Sequence, residues 1–361
     1  MKVVRAASFL LLALTAALAQ AQEASSGLDL RETLSSLGVA SGALSSPPRS
    51  GSCTAAGFRS LTYPTLKIGS SWTLTGAYEF VTRPYAYEDF SAAGYGARGY
   101  LLQSSVNYAR ASEKGALLLR AGVLPTAFGS FMLRYNDADD PLIDVPPQYG
   151  YYYAPVSLSG LPGAQIDLSR GRIDGRLQFA NSSPANPRSL FHHDQYGNWA
   201  GGAGVTLHQG FRVGVDAYRG PYLDRQYKFY FPGEMAPSRL PATGLGVDAQ
   251  WSRGHTSLQI EEDRFLMPYT VIPDFGESAG YLELKRVLAP RWYVALRPSY
   301  TAASEGGDTR SIESAVAWRP SRFQLIKFDY EVERYTQATP RNQDTVAVQW
   351  VVTLDHVFAS R

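Results

Sequence analysis

From residue 66 to the C-terminus the chain repeats one motif: about ten residues of alternating apolar and polar side chains, then a break. Phe323 to Arg334 shows it well. Gln324, Ile326, Phe328, Tyr330 and Val332 share one face, and Lys327, Asp329, Glu331 and Glu333 the other. In the last run Val346, Val348, Trp350, Val352, Leu354 and Phe358 face one way, and Thr345, Ala347, Gln349, Thr353 and Asp355 the other. Strand side chains alternate between faces, so each run is a strand with one apolar and one charged side. The breaks alternate between very short and long. Strands of this length, charged on one face and joined by short and long connections in turn, predict a transmembrane β-barrel, apolar outside and polar inside.

The N-terminus predicts export. Lys2 and Arg5 precede an apolar stretch from Ala6 to Leu18, followed by small-residue sites at Ala17–Ala19 and Ala19–Ala21. That is a secretory signal peptide over 1–21. No later stretch is uniformly apolar over the roughly 18 residues a membrane helix needs. An exported chain with dyad strands belongs in the outer membrane of a Gram-negative-type bacterium, where closure leaves no strand edge in lipid.

The dyad runs give about 14 strands, the first at 66–81 and the last at 343–358. Sixteen is the alternative if part of 124–161 pairs. Tight breaks fall at Glu113–Gly115, Arg170-Gly171, Gln209-Gly210, Arg253-Gly254, Ala289-Pro290 and Pro320-Ser321. Gly and Pro there are turn residues. Short turns belong in the periplasm and long loops outside, so both termini should be periplasmic. Residues 22–64 read differently. They are rich in Ser, Gly and Ala, with an amphipathic stretch Leu28–Leu37. They are expected to be a periplasmic tail or a small plug, leaving 65–361 as the barrel.

Alternation places Arg120, Arg172, Arg176, Arg212, Arg297, Arg310 and Lys327 inside, with Asp329, Glu331 and Glu333 among the inward acids. So many ionisable groups need water, and about fourteen strands enclose more space than side chains fill. The expected function is passive diffusion of small hydrophilic solutes or ions through a charged, water-filled lumen. Val348 should resist a charge and Gln349 should tolerate one. The longest break, 124–161, carries Arg134, Asp137, Asp139, Asp140 and Asp144, then Tyr149, Tyr151, Tyr152 and Tyr153. Folded inward, it would narrow the pore, and its aspartates would favour cations. Asn136–Asp140 also offers hard oxygens to Ca²⁺ but lacks the full ligand spacing of a calcium loop, so no metal and no cofactor is expected.

The segment Leu119-Arg-Ala-Gly-Val-Leu-Pro-Thr-Ala-Phe-Gly129 resembles the strand-and-loop segment of bacterial outer-membrane porins, in which such a stretch leads into an extracellular or constricting loop. Its placement is similar to that in the phosphate-selective porin O/P group. Leu354–Phe358 resembles the aromatic-ended last strand by which such barrels are assembled, although Ala359, Ser360 and Arg361 follow the Phe. The resemblance implies outer-membrane lipid, lipopolysaccharide and barrel-assembly machinery as partners, and leaves a homotrimer open. No dense Arg/Lys ladder stands at matching positions, so phosphate selectivity is not implied.

Composition narrows the field further. Without Lys2 and Arg5 the chain holds 32 cations against 32 anions, which suggests no nucleic-acid partner. The single Cys53 cannot form an internal disulfide. Two other functions remain: a carrier of hydrophobic compounds with residues 22–64 as a hatch, and a barrel enzyme. For the enzyme only His192 and His193, beside Asp194, lie in an outer loop; His208 and His255 fall beside short turns and His356 faces outward.

Overall fold

The computed structural model describes residues 27–41, 54–83, 85, 96–149, 160–181, 197–221, 233, 240–304, 307–336 and 342–359. It is an all-β barrel of sixteen antiparallel strands, each paired with its neighbours in sequence and the first paired with the last. They run β1 (Gly27–Ser41), β2 (Thr54–Ile68), β3 (Trp72–Arg83), β4 (Gly96–Ser112), β5 (Gly115–Leu124), β6 (Leu161–Arg170), β7 (Ile173–Asn181) and β8 (Gly197–His208). The second half is β9 (Phe211–Pro221), β10 (Pro241–Arg253), β11 (Thr256–Met267), β12 (Phe275–Ala289), β13 (Trp292–Ala303), β14 (Thr309–Ser321), β15 (Gln324–Tyr335) and β16 (Asn342–Ala359).

The fold class is the expected transmembrane barrel, with the larger strand number. The two extra strands do not come from 124–161. They come from the segment expected to be a tail or plug: β1 and β2 lie in the wall, and β1 closes the barrel in register from Gly27↔Ala359 to Ser41↔Thr345. The expected first strand, 66–81, is cut by a tight turn at 69–71, where Gly69 adopts φ 69°. A left-handed φ favours glycine, which has no Cβ to clash. Residues 1–26, Cys53, Tyr151, Tyr152, Tyr153, His192, His193 and Asp194 lie outside the described residues.

All seven connections at one rim are short, and β1 begins and β16 ends at that same rim. The other rim carries the long connections. The outside is an apolar belt: Leu177, Leu245, Val247, Ile312, Phe328 and Val346 are exposed. A soluble protein does not expose so continuous an apolar surface. Aromatic pairs bracket it, Trp292 stacked on Trp318 at 5.9 Å near the short-turn rim and Phe179 tilted against Trp199 at 4.8 Å near the other. Amphipathic rings favour these two interfaces. The alternation in β15 and β16 has the expected sense. Lys327, Asp329, Glu331 and Gln349 are buried inward, whereas Phe328, Tyr330, Val348 and Trp350 are exposed outward. Arg310 departs from the expected list. It pairs with Tyr300 and Arg334 and shares their outward side.

Gln349 points inward but is fully buried, and its amide donates to the Tyr85 hydroxyl at 2.9 Å. It is therefore no tolerant site. Lys67, inward and 56% exposed beside Asp29, is the better one. Val348→Arg should cost about 2–4 kcal/mol near midplane, and Lys67→Gln well under about 1 kcal/mol. Urea titrations of protein folded into liposomes measure both, and equal costs would contradict the facing assigned here.

Candidate functional site

The connection after β5 does not rise away from the barrel. From Pro125 it turns into the lumen, and the described part, to Tyr149, bonds to nine strands, β1–β3, β7 and β11–β15. Gln178 of β7 donates to Pro125 O at 2.7 Å and accepts from Ala127 N. Arg176 of β7 donates to Gly129 O at 2.6 Å. Gly129 sits at φ 78°, where an added Cβ would strike Tyr149 and Glu261, so a residue without a side chain makes the turn. Beyond it, Ser130 Oγ donates to Glu261 of β11 at 2.6 Å, and the Tyr149 hydroxyl donates to the same carboxylate. Phe128 and Phe131 are buried against Phe265, Tyr149 and Tyr218. This apolar packing fastens the start of the loop to the β7–β12 wall.

The charged part follows. Arg134, closing a short 3₁₀ turn at Phe131–Arg134, donates to Glu283 of β12 at 2.7 Å. Asn136 Nδ2 donates to Thr33 of β1. Asp137 accepts from Arg59 of β2 and from the Tyr85 hydroxyl, both at 2.9 Å. Asp139 pairs at 3.3 Å with Arg31 of β1, half exposed. Asp140 accepts from Leu142 N at 3.1 Å. The backbone nitrogens of Ile143 and Asp144 donate to Glu313 of β14, and Arg297 of β13 donates to Asp144 O. Lys327 of β15 donates to Leu142 O at 2.7 Å.

All five loop residues expected at a constriction are thus brought into the lumen. Most serve as anchors rather than as free charges. Burial alone would push the Asp137 carboxyl up; Arg59 and Lys327 outweigh it and hold the group below its ordinary value. Its contribution to stability is therefore full above the ordinary aspartate range and lost only as pH falls through the depressed value. Burial raises Asp140 despite the pull of Arg297. The hard oxygens of 136–140 are already engaged by protein donors, and no cluster of three metal-ligating side chains occurs among the described residues.

The expected lining residues fall into three groups. Arg120 pairs with Asp167 at 3.3 Å, Arg176 with Asp216 at 2.9 Å, and Arg212 with Asp174 at 2.6 Å and Asp248 at 2.7 Å. These arginines are partly exposed to the lumen. Arg172 lies in a short turn at the mouth and donates to Leu207 O. Arg297 and Lys327 are buried beneath the loop, and Arg297 binds Glu313 as well. Asp329 and Glu331 are buried on the same wall, and Glu333 is partly buried and accepts from Tyr335 at 2.6 Å. Sequence reasoning missed Arg59, Arg31 and Tyr85. The first two lie in the segment taken for a tail, where their alternation is diluted by Ser, Thr and Ala.

The chain is thus a closed antiparallel barrel, apolar outside and charged inside, with a long loop folded into its lumen, and its barrel fold has solved counterparts. Three solved structures are similar in fold. The outer-membrane channel DcaP of Acinetobacter baumannii matches with TM-score 0.62 and 8% identity, over 92% of this chain and 99% of that one. An anion-selective porin from Comamonas acidovorans matches with TM-score 0.56 and 12% identity, over 92% and 100%. OmpT of Vibrio cholerae, an outer membrane protein in a trimer form, matches with TM-score 0.59 and 10% identity, over 90% and 99%. No family model and no curated protein matches the sequence. At these identities the likeness is one of fold.

Arg59 also donates to Glu79 at 2.6 Å, so its removal strands two buried carboxylates. Arg59→Leu should cost about 3–5 kcal/mol and lower the temperature at which heat-resistant, folded migration is lost in gels. Unchanged heat resistance would mean that this pair does not hold the loop.

Proposed function

We propose that the protein is an outer-membrane porin giving passive diffusion of small hydrophilic solutes, with its short turns and both chain ends in the periplasm. One observation carries the reading: inside a lipid-belted barrel, inward ion pairs remain open to water. Arg31–Asp139, Lys67–Asp29, Arg120–Asp167 and Arg212–Asp174 each keep about a quarter to a half of their side-chain surface. They fall on β1–β2 and β5–β9, away from the packed β11–β15 wall. The solute path runs along them, beside the loop. A hatch built from 22–64 loses its support, because β1 and most of β2 come from that segment. The fold shared with described porins and channels favours a pore over an enzyme, and the trimeric neighbour favours a homotrimer.

Selectivity follows from the remaining acid. Asp137 and Asp139 are paired with arginines. On β14 and β15, by contrast, Glu313 lies directly opposite Glu331, and Asp329 and Glu333 flank them on the same face. Among the described residues only Arg297, which pairs with Glu313, and Lys327 oppose them nearby, and both also bond to the loop. Asp329 is 3% exposed and has no hydrogen-bond partner among the described residues. An excess of acidic over basic side chains on this wall favours cations.

Purified protein in planar bilayers should give ohmic steps that grow with salt; silence from folded protein overturns the pore. In a salt gradient, Glu331→Gln with Glu333→Gln should lower the cation-to-anion permeability ratio by about twofold or more. Asp139→Asn should move it less. The reverse ranking would return selectivity to the loop.

A further inference from the structure

Two inward arginines bond carboxylates that lie beyond the neighbouring strand. Arg176 of β7 reaches Asp216 of β9 at 2.9 Å, passing over β8. Arg212 of β9 reaches back over β8 to Asp174 of β7, with Nε donating to Oδ2 at 2.9 Å and Nη2 to Oδ1 at 2.6 Å. Its Nη1 donates to Asp248 of β10 at 2.7 Å. Strands two apart in a sheet stand roughly 9.5 Å from each other. A side chain lying flat across that gap needs bare backbone beneath it.

The register supplies that backbone. Gly202 stands between Arg176 and Asp216. One turn-ward row runs Asp174, Gly204, Gly214, Asp248 across β7 to β10, with the two glycines directly opposite each other. Both glycines face the lumen and yet are buried. Arg212 and Asp248 cover them. The three atoms that an added Cβ at Gly204 would meet first are Nη2, Cζ and Nε of Arg212. A Cβ at Gly214 would overlap Asp248 Oδ2 and stand 2.9 Å from Arg212 Nη1. Neither glycine has a positive φ, so it is space and not backbone conformation that excludes a side chain here. The same row on the packed side of the barrel carries Glu261 and Tyr281 instead.

We propose that Gly204 and Gly214 are positioning residues for permeation. They hold the Arg212 guanidinium flat on the β7–β10 wall, forked onto Asp174 and bonded to Asp248, and so set the width and charge of the solute path along that wall. This rests on the pore reading above. Lifted off the glycines, the guanidinium has only the lumen to enter. It would narrow the path, place a cation in it, and leave the buried Asp248 without its arginine.

Gly204→Ala tests this. Its single-channel conductance in planar bilayers should fall by about a quarter or more, and its cation-to-anion permeability ratio should fall as well. Heat-resistant, folded migration should be lost about 3 °C or more below wild type. Gly214→Ala should move all three in the same direction. In a background of Arg212→Ala with Asp248→Asn, no guanidinium covers Gly204 and no buried carboxylate is left alone. Adding Gly204→Ala to that background should change none of the three. Gly175→Ala, on the outward side of β7 with the nearest atom 3.7 Å from its Cβ, should match wild type. An effect of Gly204→Ala that persists undiminished in the Arg212→Ala background, or a Gly204→Ala protein that behaves as Gly175→Ala does, overturns the proposal. Silence of folded wild type would overturn the pore, and control of the path with it, while the heat-resistance comparison would still decide whether the glycine carries the arginine.

Discussion

Closure of the backbone ladder between β1 and β16 is the constraint on which everything else rests. In hydrocarbon an unpaired strand edge leaves a row of N–H and C=O groups with no water to satisfy them, each costing several kcal/mol. Fifteen consecutive register pairs, Gly27↔Ala359 to Ser41↔Thr345, remove that edge. Closure then fixes which face of every strand sees lipid, because neighbouring strands share register and a slip of one residue would turn all side chains over. The charged lumen and the outward belt both follow from that one parity.

Closure also creates an interior that must be filled or wetted, and this chain does both. On the β11–β15 side the loop supplies donors and acceptors to wall groups that would otherwise be buried alone. Glu313 receives two backbone N–H groups, Lys327 gives its ammonium to a carbonyl, and Glu261 is held by Ser130, Tyr149 and Tyr281. On the β5–β9 side, Arg–Asp pairs stand in water instead. The division is physical. A buried charge needs a fixed partner, whereas a solvated one needs little.

The sequence was legible where the signal is local. Alternation in β15 and β16 sets their faces correctly, and Gly and Pro mark most short turns. It was illegible where partners are distant. In Leu28–Leu37 the leucines at 30, 34 and 37 share a helical stripe, whereas on a strand Leu37 faces away from Leu30 and Leu34. Only the partner β16, some 300 residues away, decides for the strand. Parity also fades at strand ends, which is why Arg310 was placed in the lumen and Arg172 on its wall. The loop was readable as long and acidic. That its aspartates meet Arg59 and Arg31 was not, since both arginines belonged to the segment misread as a tail. The neutralisation of those aspartates moves the unbalanced acid to Asp329, Glu331 and Glu333, residues whose inward facing the alternation had already given.

The distribution of anchors decides what kind of constriction the loop is. A lid hinges about a few residues and packs weakly at its tip. This loop is fastened at both ends of its described course and at its middle, to β1 and β2 on one side and to β7 and β11–β15 on the other. Swinging it out would take from Lys327, Glu313 and Glu261 the loop groups that bond them, and from Arg59 the carboxylate of Asp137, all of them buried. Charges left alone in that setting cost several kcal/mol apiece, far more than thermal energy supplies. The inward course of the loop is therefore built into the folded barrel rather than held as a movable lid.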